Sequence, residues 1–236
     1  NVANIGLIIG IIAIARPIKV ELSMVKREIP IMILATLILF AMSADGEISR
    51  IEGLMLIACM VAFISYMILQ VKKNRLVDLD KNSDVSRNGM SLAGFLVLIG
   101  VAGVIGGGSL FVRSAETIAR FYGISEIFIG LTLVAVGTSL PELATSAVAA
   151  MRGKDDICVS NVVGSNIANI FLGIGLASVI SPLTIEPGLL TNEYLFMTGF
   201  ALALFPLARK GLSIGRAEGV LCLSAYAAFI YMSYFH

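Results

Sequence analysis

Long apolar runs separated by short polar stretches dominate the chain. They fall at roughly 2–16, 30–44, 50–70, 91–113, 124–150, 157–180, 191–208 and 215–235. A transmembrane helix needs about 20 mostly apolar residues. The pattern therefore predicts an all-α polytopic membrane protein with about eight spans, the first incomplete and the second short. The long polar stretch, Lys72 to Asn88, is too short for a domain and reads as a solvated loop. Composition agrees: 58% of the 236 residues are hydrophobic and 14% charged, against about 45–50% and about 25% in soluble domains. Mean hydropathy is +0.94, so lipid is the natural solvent.

Charge adds an orientation. Arg16, Lys19, Lys26, Arg27, Lys72, Lys73, Arg75, Lys81, Arg87, Arg152, Lys154, Arg209, Lys210 and Arg216 fall in one alternating set of loops. The other set holds Arg50, Arg113 and Arg120. Positive residues concentrate in cytoplasmic loops, so the first set is expected inside. Arg113 and Arg120 read as interfacial anchors, and Asp155 and Asp156 as a solvated turn. No basic cluster with interleaved aromatics points to nucleic acid. Cys59, Cys158 and Cys222 lack metal-ligand spacing and read as small apolar residues.

The chain also resembles itself. Residues 1–21, NVANIGLIIGIIAIARPIKVE, match 166–186, NIANIFLGIGLASVISPLTIE, at nine of 21 positions. Asn1/Asn166, Asn4/Asn169, Gly10/Gly175, Pro17/Pro182 and Glu21/Glu186 are among them. Arg50, Glu52 and Gly53 match Arg216, Glu218 and Gly219 in the same way. The first span pairs with the sixth and the third with the eighth. An offset of five helices is odd, so the halves are expected to sit in the membrane with opposite orientation, as in many secondary transporters. On this reading residues 1–71 are the remainder of a first repeat, 72–90 a cytoplasmic loop and 91–236 a second repeat. The second repeat begins near Ser91, 75 residues before Asn166, so about two further helices are expected before Asn1. The opening Asn-Val-Ala-Asn, without Met, fits that expectation.

The unusual chemistry lies in the fifth and sixth spans. Glu142 is the acidic residue placed deep in an apolar run. A carboxylate there costs at least about 2.5 kcal/mol without a partner or a watery cavity. Pro141 precedes it in GTSLPE (137–142) and should break or kink the helix, freeing carbonyls around Val136 to Thr138. Carbonyls, the hydroxyls of Thr138 and Ser139 and the Glu142 carboxylate make an oxygen-rich site of the kind hard cations such as Ca²⁺ and Na⁺ take. Pro-kinked helices bearing Ser and Thr also occur purely for packing; the buried carboxylate is what favours an ion site here. Ser165 and Asn169, four apart, share a helical face and add neutral oxygens. Asn161 and Asn166 read as interhelical hydrogen-bonding residues, and Asn4 occupies the place of Asn169 in the other repeat.

GTSLPE followed by NVVGSN (161–166) resembles the repeat of the cation/calcium antiporter superfamily, specifically its sodium/calcium exchanger branch. The likeness runs from Ser114 to Gly175, with Ser160 standing where the family usually has Gly. It implies a ten-helix fold in which two repeats meet at a shared ion site. Carried over by motif position, it implies that Glu142 ligates Ca²⁺ and Na⁺ and that Thr138 offers carbonyl and hydroxyl oxygens, with Ser139 beside it. Ala135 would lend a backbone carbonyl to Na⁺ together with Ser165. Asn169 fills a position that is Asp or Asn in the family, which makes the site less acidic and bears on potassium dependence or proton coupling; Asn4 is its first-repeat partner. The first-repeat counterpart of GTSLPE is not in this chain, so about half of the site is expected here. The fourth span would be a long sliding gate helix, with Gly106-Gly107-Gly108 either a hinge or a packing site.

The implied function is Ca²⁺/Na⁺ antiport by alternating access in a lipid bilayer, with the two ions as cargo and no cofactor. Ca²⁺/H⁺ antiport is the near alternative and a cation channel the alternative of a different class. An enzyme is not expected, because no Ser/His or paired-Asp constellation lies at depth. The short polar loop leaves no room for a regulatory domain, which points to a multi-pass protein of a prokaryotic plasma membrane.

Overall fold

The computed structural model describes residues 1–77, 87–124, 129–185 and 193–234, with backbone alone for 72–77, 87–98, 101, 104, 105, 131 and 234. Of the polar loop expected at 72–90, residues 78–86 lie outside the described residues, and the rest is helical instead, as the end of the helix Arg50–Val77 and the start of the helix Arg87–Phe121. Residues 125–128 of the span expected at 124–150 also lie outside.

Helices account for nearly everything described. A π-helical turn, Asn4–Ile9, runs into α1 (Gly10–Ala15), followed by α2 (Leu22–Lys26), α3 (Glu28–Met42), α4 (Arg50–Val77) and α5 (Arg87–Phe121). A second π-helical turn, Gly130–Val134, leads to α6 (Ala135–Thr138), then α7 (Leu140–Met151) and α8 (Asp155–Ala168). A third, Asn169–Ile174, leads to α9 (Gly175–Ile180), and α10 (Glu193–Arg209) and α11 (Arg216–Tyr234) follow. Leu22–Asp45, Arg50–Val71, Asp155–Ile180 and Glu193–Leu212 are each long and apolar enough to cross a bilayer. Thr132–Thr138 with Leu140–Met151 would make a fifth span, bent by 46°. Asn4–Ala15 is a shorter apolar helix.

The internal repeat recurs as element order. Asn4–Ile9, α1 and strand β1 (Ile18–Lys19) correspond to Asn169–Ile174, α9 and strand β3 (Leu183–Thr184). The 3₁₀ turn Ser43–Asp45, strand β2 (Glu47–Ile48) and α4 correspond to Lys210–Leu212, strand β4 (Ser213–Ile214) and α11. The strands pair across the repeats: Ile18 lies opposite Ile214, and Ile48 opposite Leu183, both antiparallel. Each two-stranded clasp therefore ties one copy of the unit to the other.

The sequence identities mark close contacts. Glu52 closes the start of α4, accepting from the Ser49 N–H (2.8 Å) and the Ser49 hydroxyl (2.7 Å), a capping box. Glu218 accepts from the Gly215 N–H (3.0 Å) at the start of α11. One turn on, Gly53 faces Gly175, and Gly219 faces Gly10. A Cβ on Gly53 would stand 2.8 Å from the Gly175 carbonyl, and one on Gly219 2.9 Å from the Gly10 carbonyl. Only residues without a side chain let these backbones approach so closely. The partner of each glycine lies in the opposite repeat, so α4 packs on α9 and α1 on α11.

The π-helical turn Asn4–Ile9 and α8 occupy the centre. Ile8, Ile9, Val159, Val162, Val163 and Ile167 are fully buried. On α4, by contrast, Ile51, Leu54, Met55 and Val61 point outward. An apolar exterior around a packed interior is the arrangement a bilayer favours.

Candidate ion site

Proline decides the local geometry. Pro141 lies in the first turn of α7, where its missing N–H costs little. The price is the break before it: α6 ends at Thr138, Ser139 bridges the two helices, and the rod bends by 46°. Glu142 thus sits in the first turn of a new helix, where the partial positive charge of the helix N-terminus favours a carboxylate. Its Oε2 is buried with no hydrogen-bond partner among the described residues. Burial of an unpaired carboxylate oxygen is expensive. Its backbone carbonyl accepts from Asn161 Nδ2 (3.2 Å), which also donates to Ser146 Oγ (3.0 Å). Asn161 therefore pins α7 to α8.

The break does not free every carbonyl around it. Ser139 N–H donates to the carbonyls of Ala135 (3.2 Å) and Val136 (3.1 Å). The Thr138 hydroxyl turns back to the carbonyls of Val134 (2.9 Å) and Ala135 (3.1 Å). Ala135 thus has a carbonyl already engaged by two donors. Ser139 is buried and Ser165 half-buried.

Four asparagines cross-link the two repeats beside this break. Asn4, 1% exposed, donates from Nδ2 to Asn166 Oδ1 (2.9 Å). Asn169 donates from Nδ2 to Asn1 Oδ1 (3.2 Å), and Asn1 Nδ2 reaches the Asn166 carbonyl (3.2 Å). The turn that opens with Asn4 packs against α7, which carries Glu142, as well as against α8. Asn4 Oδ1 is, like Glu142 Oε2, buried and unpartnered among the described residues. Asn4 and Asn169 each open a π-helical turn, and Ala135 follows the third. Such turns misalign the backbone ladder locally and recur at functional sites.

Ala135 lines a cavity of about 260 Å³ with Asn1 and Glu193. Thr138 lines a different one, about 470 Å³, with Gly108, Arg113, Glu116 and Pro141. The structure thus sets α7, whose first turn carries Glu142, against the turn opened by Asn4, and sets Thr138 toward α5. Arg113, read from sequence as an interfacial anchor, faces that second cavity. Gly108 packs on the break, a Cβ there falling 3.2 Å from the Gly137 carbonyl, whereas a Cβ on Gly106 or Gly107 would meet nothing within 4 Å. A side chain on Gly137 would run into Val112.

Asp155 also departs from its sequence reading. It is 7% exposed rather than a solvated turn residue. Arg16 lies 3.8 Å from its carboxylate and donates to the Ala150 carbonyl at 2.7 Å, and Lys19 N–H approaches Asp155 Oδ2 at 3.4 Å. The first repeat thereby holds the end of α7 opposite Glu142. Spacing alone could not reveal this, because the partners are more than 130 residues apart.

The sodium/calcium exchanger protein family model matches residues 1–69 and 92–235, flanking the polar stretch. The chain belongs to the sodium/calcium exchanger family. It is 34% identical over 240 residues to the putative antiporter CaxA of Alkalimonas amylolytica, covering 98% of this chain and 75% of that one. It is 31% identical over 272 residues to the sodium/calcium exchanger MaX1 of Methanosarcina acetivorans, covering 100% and 78%. Among solved structures it resembles the sodium-calcium exchanger NCX_Mj soaked with 10 mM Na⁺ and 10 mM Sr²⁺, with a TM-score of 0.76 and 34% identity over 98% of this chain and 72% of that one. The family places the chain among multi-pass membrane cation antiporters.

Proposed function

We propose that this exchanger moves Ca²⁺ against Na⁺ by alternating access at an oxygen-lined site centred on Glu142. The supporting observation is the buried Glu142 Oε2 at a helix break, without a hydrogen-bond partner among the described residues. An ion visiting the site would supply the missing partner. Glu142 would contribute charge, and Asn4, Asn169 and Ser165 neutral oxygens. Thr138, Ser139 and Ala135 would contribute as their own contacts rearrange, since Ala135 and Thr138 are engaged in the present state. Ca²⁺ takes 6–8 oxygens, so further donors from outside the described residues would complete its shell. Several Na⁺ ions spread over the same oxygens would replace one Ca²⁺, and the inward Na⁺ gradient would drive Ca²⁺ out.

In this reading residues 1–71 and 91–236 belong to two inverted repeats joined by a cytoplasmic stretch at 72–90, in a prokaryotic plasma membrane. Opposed repeats meeting at one site suit alternating access better than a continuous pore.

The counter-ion is tested in proteoliposomes loaded with radioactive calcium. Replacing Na⁺ by an inert cation at a fixed pH gradient should stop Ca²⁺ movement. Undiminished movement would assign the exchange to protons instead.

A further inference from the structure

We infer that Asn166 and Asn1 are positioning residues that decide which end of the Asn4 and Asn169 carboxamides faces the ions. The inference rests on the reading above, in which Asn4 and Asn169 offer ligand oxygens.

A carboxamide has two unlike ends: Oδ1 accepts and Nδ2 donates. Only the oxygen can ligate a hard cation. An asparagine free to turn would present its NH₂ part of the time, adding no bond and aiming a positive dipole end at the ion. A ligand asparagine therefore needs an acceptor that claims its NH₂. Asn166 Oδ1 is that acceptor for Asn4, at 2.9 Å in a buried position. The consequence is visible in Asn4 Oδ1, which is left buried and unpartnered among the described residues. Asn166 is itself held: it is 1% exposed, and its Nδ2 approaches Met32 Sδ at 3.4 Å. With its NH₂ turned toward α3, its oxygen faces Asn4.

The arrangement occurs twice. Asn166 corresponds to Asn1 and Asn169 to Asn4 in the internal repeat, both at an offset of 165 positions. The bond from Asn169 Nδ2 to Asn1 Oδ1, at 3.2 Å, is therefore the repeat image of the bond from Asn4 to Asn166. In both, the amide that orients belongs to one repeat and the amide oriented to the other. A shift of one repeat against the other would stretch both bonds and leave both ligand amides free to turn. Orientation of the ligand amides is thus coupled to the relative position of the repeats.

The test uses the intact transporter in proteoliposomes and the KM for Ca²⁺. Asn4→Leu comes first and examines the underlying reading: an unchanged KM would remove Asn4 from the ligand set without reference to Asn166. With Asn4 established, Asn166→Leu should raise the KM for Ca²⁺ roughly tenfold, the usual scale for losing a residue that orients a metal ligand. The deciding comparison repeats that substitution in an Asn4→Asp background. A carboxylate has the same oxygen at both ends and needs no orientation, and it meets Asn166 Oδ1 acceptor to acceptor, so Asn166→Leu should then leave KM unchanged or lower it. An equal rise in both backgrounds would mark Asn166 as merely structural and overturn the inference, as would no rise in the first. Should Asn166→Leu not fold, Asn166→Ala carries the same comparison with less added bulk.

Discussion

In the proposed site Asn169 would bring an uncharged oxygen to a position where the sequence resemblance allows Asp as well as Asn. There Glu142, with its Oε2 buried, would face a divalent ion with neutral help from Asn4 and Asn169. Adding charge at that point should favour Ca²⁺ over Na⁺, because attraction grows with the charge of the ion. Asn169→Asp should lower the KM for Ca²⁺ about tenfold, or about 1.4 kcal/mol, and raise the KM for Na⁺ in competition. Kinetics in proteoliposomes at fixed ionic strength check this. The candidacy of Glu142 was readable from the sequence, since a carboxylate within an apolar run requires an explanation. Its placement at a helix start was half readable, from Pro141. The direction of the Asn4 and Asn169 amides was not readable, because it depends on a partner in the opposite repeat and no local spacing encodes that.

At the scale of elements, glycines and caps explain the internal repeat better than shared apolarity does. Gly53 matches Gly219, and Gly10 matches Gly175, because α4 crosses α9 and α1 crosses α11 at near backbone contact. Gly53→Val should destabilise the protein by about 1–3 kcal/mol through overpacking, seen as a lower thermal midpoint in detergent. Gly106→Ala, with open space around the added methyl group, should leave that midpoint unchanged or raise it slightly through helix propensity. A loss at Gly106 comparable to that at Gly53 would contradict this account of packing. The repeat itself was legible as matched letters. The exchange of partners between repeats was not, because sequence identity says which positions are equivalent and not which ones touch. The π-helical turns were hidden for a related reason: Asn4–Ile9 and Asn169–Ile174 read as ordinary apolar helix, and only the backbone distinguishes them.

Across the whole molecule, the two strand clasps organise charge. The β1–β4 clasp gathers Lys19 near Lys210 and Arg216, and Asp155 with its neighbour Lys154 joins the same end through Lys19 and Arg16. The β2–β3 clasp brings Glu47 opposite Thr184, with Arg50 close by. This grouping matches the two loop sets read from the sequence, and positive residues concentrate on the cytoplasmic side. In a Cys59→Ser background, Lys154→Cys and Lys210→Cys should react with a membrane-impermeant thiol reagent only from the cytoplasmic face. Glu47→Cys and Thr184→Cys should react only from outside. Labelling of all four from one face would reject the inverted arrangement. The most direct test of an ion site built on a buried carboxylate is Na⁺-driven efflux of radioactive calcium from proteoliposomes carrying the Glu142→Gln transporter. Glutamine keeps the size and one carbonyl oxygen but removes the charge, so exchange should fall at least about a hundredfold while the protein remains folded. Exchange at the rate of the unmodified protein would contradict a site centred on Glu142.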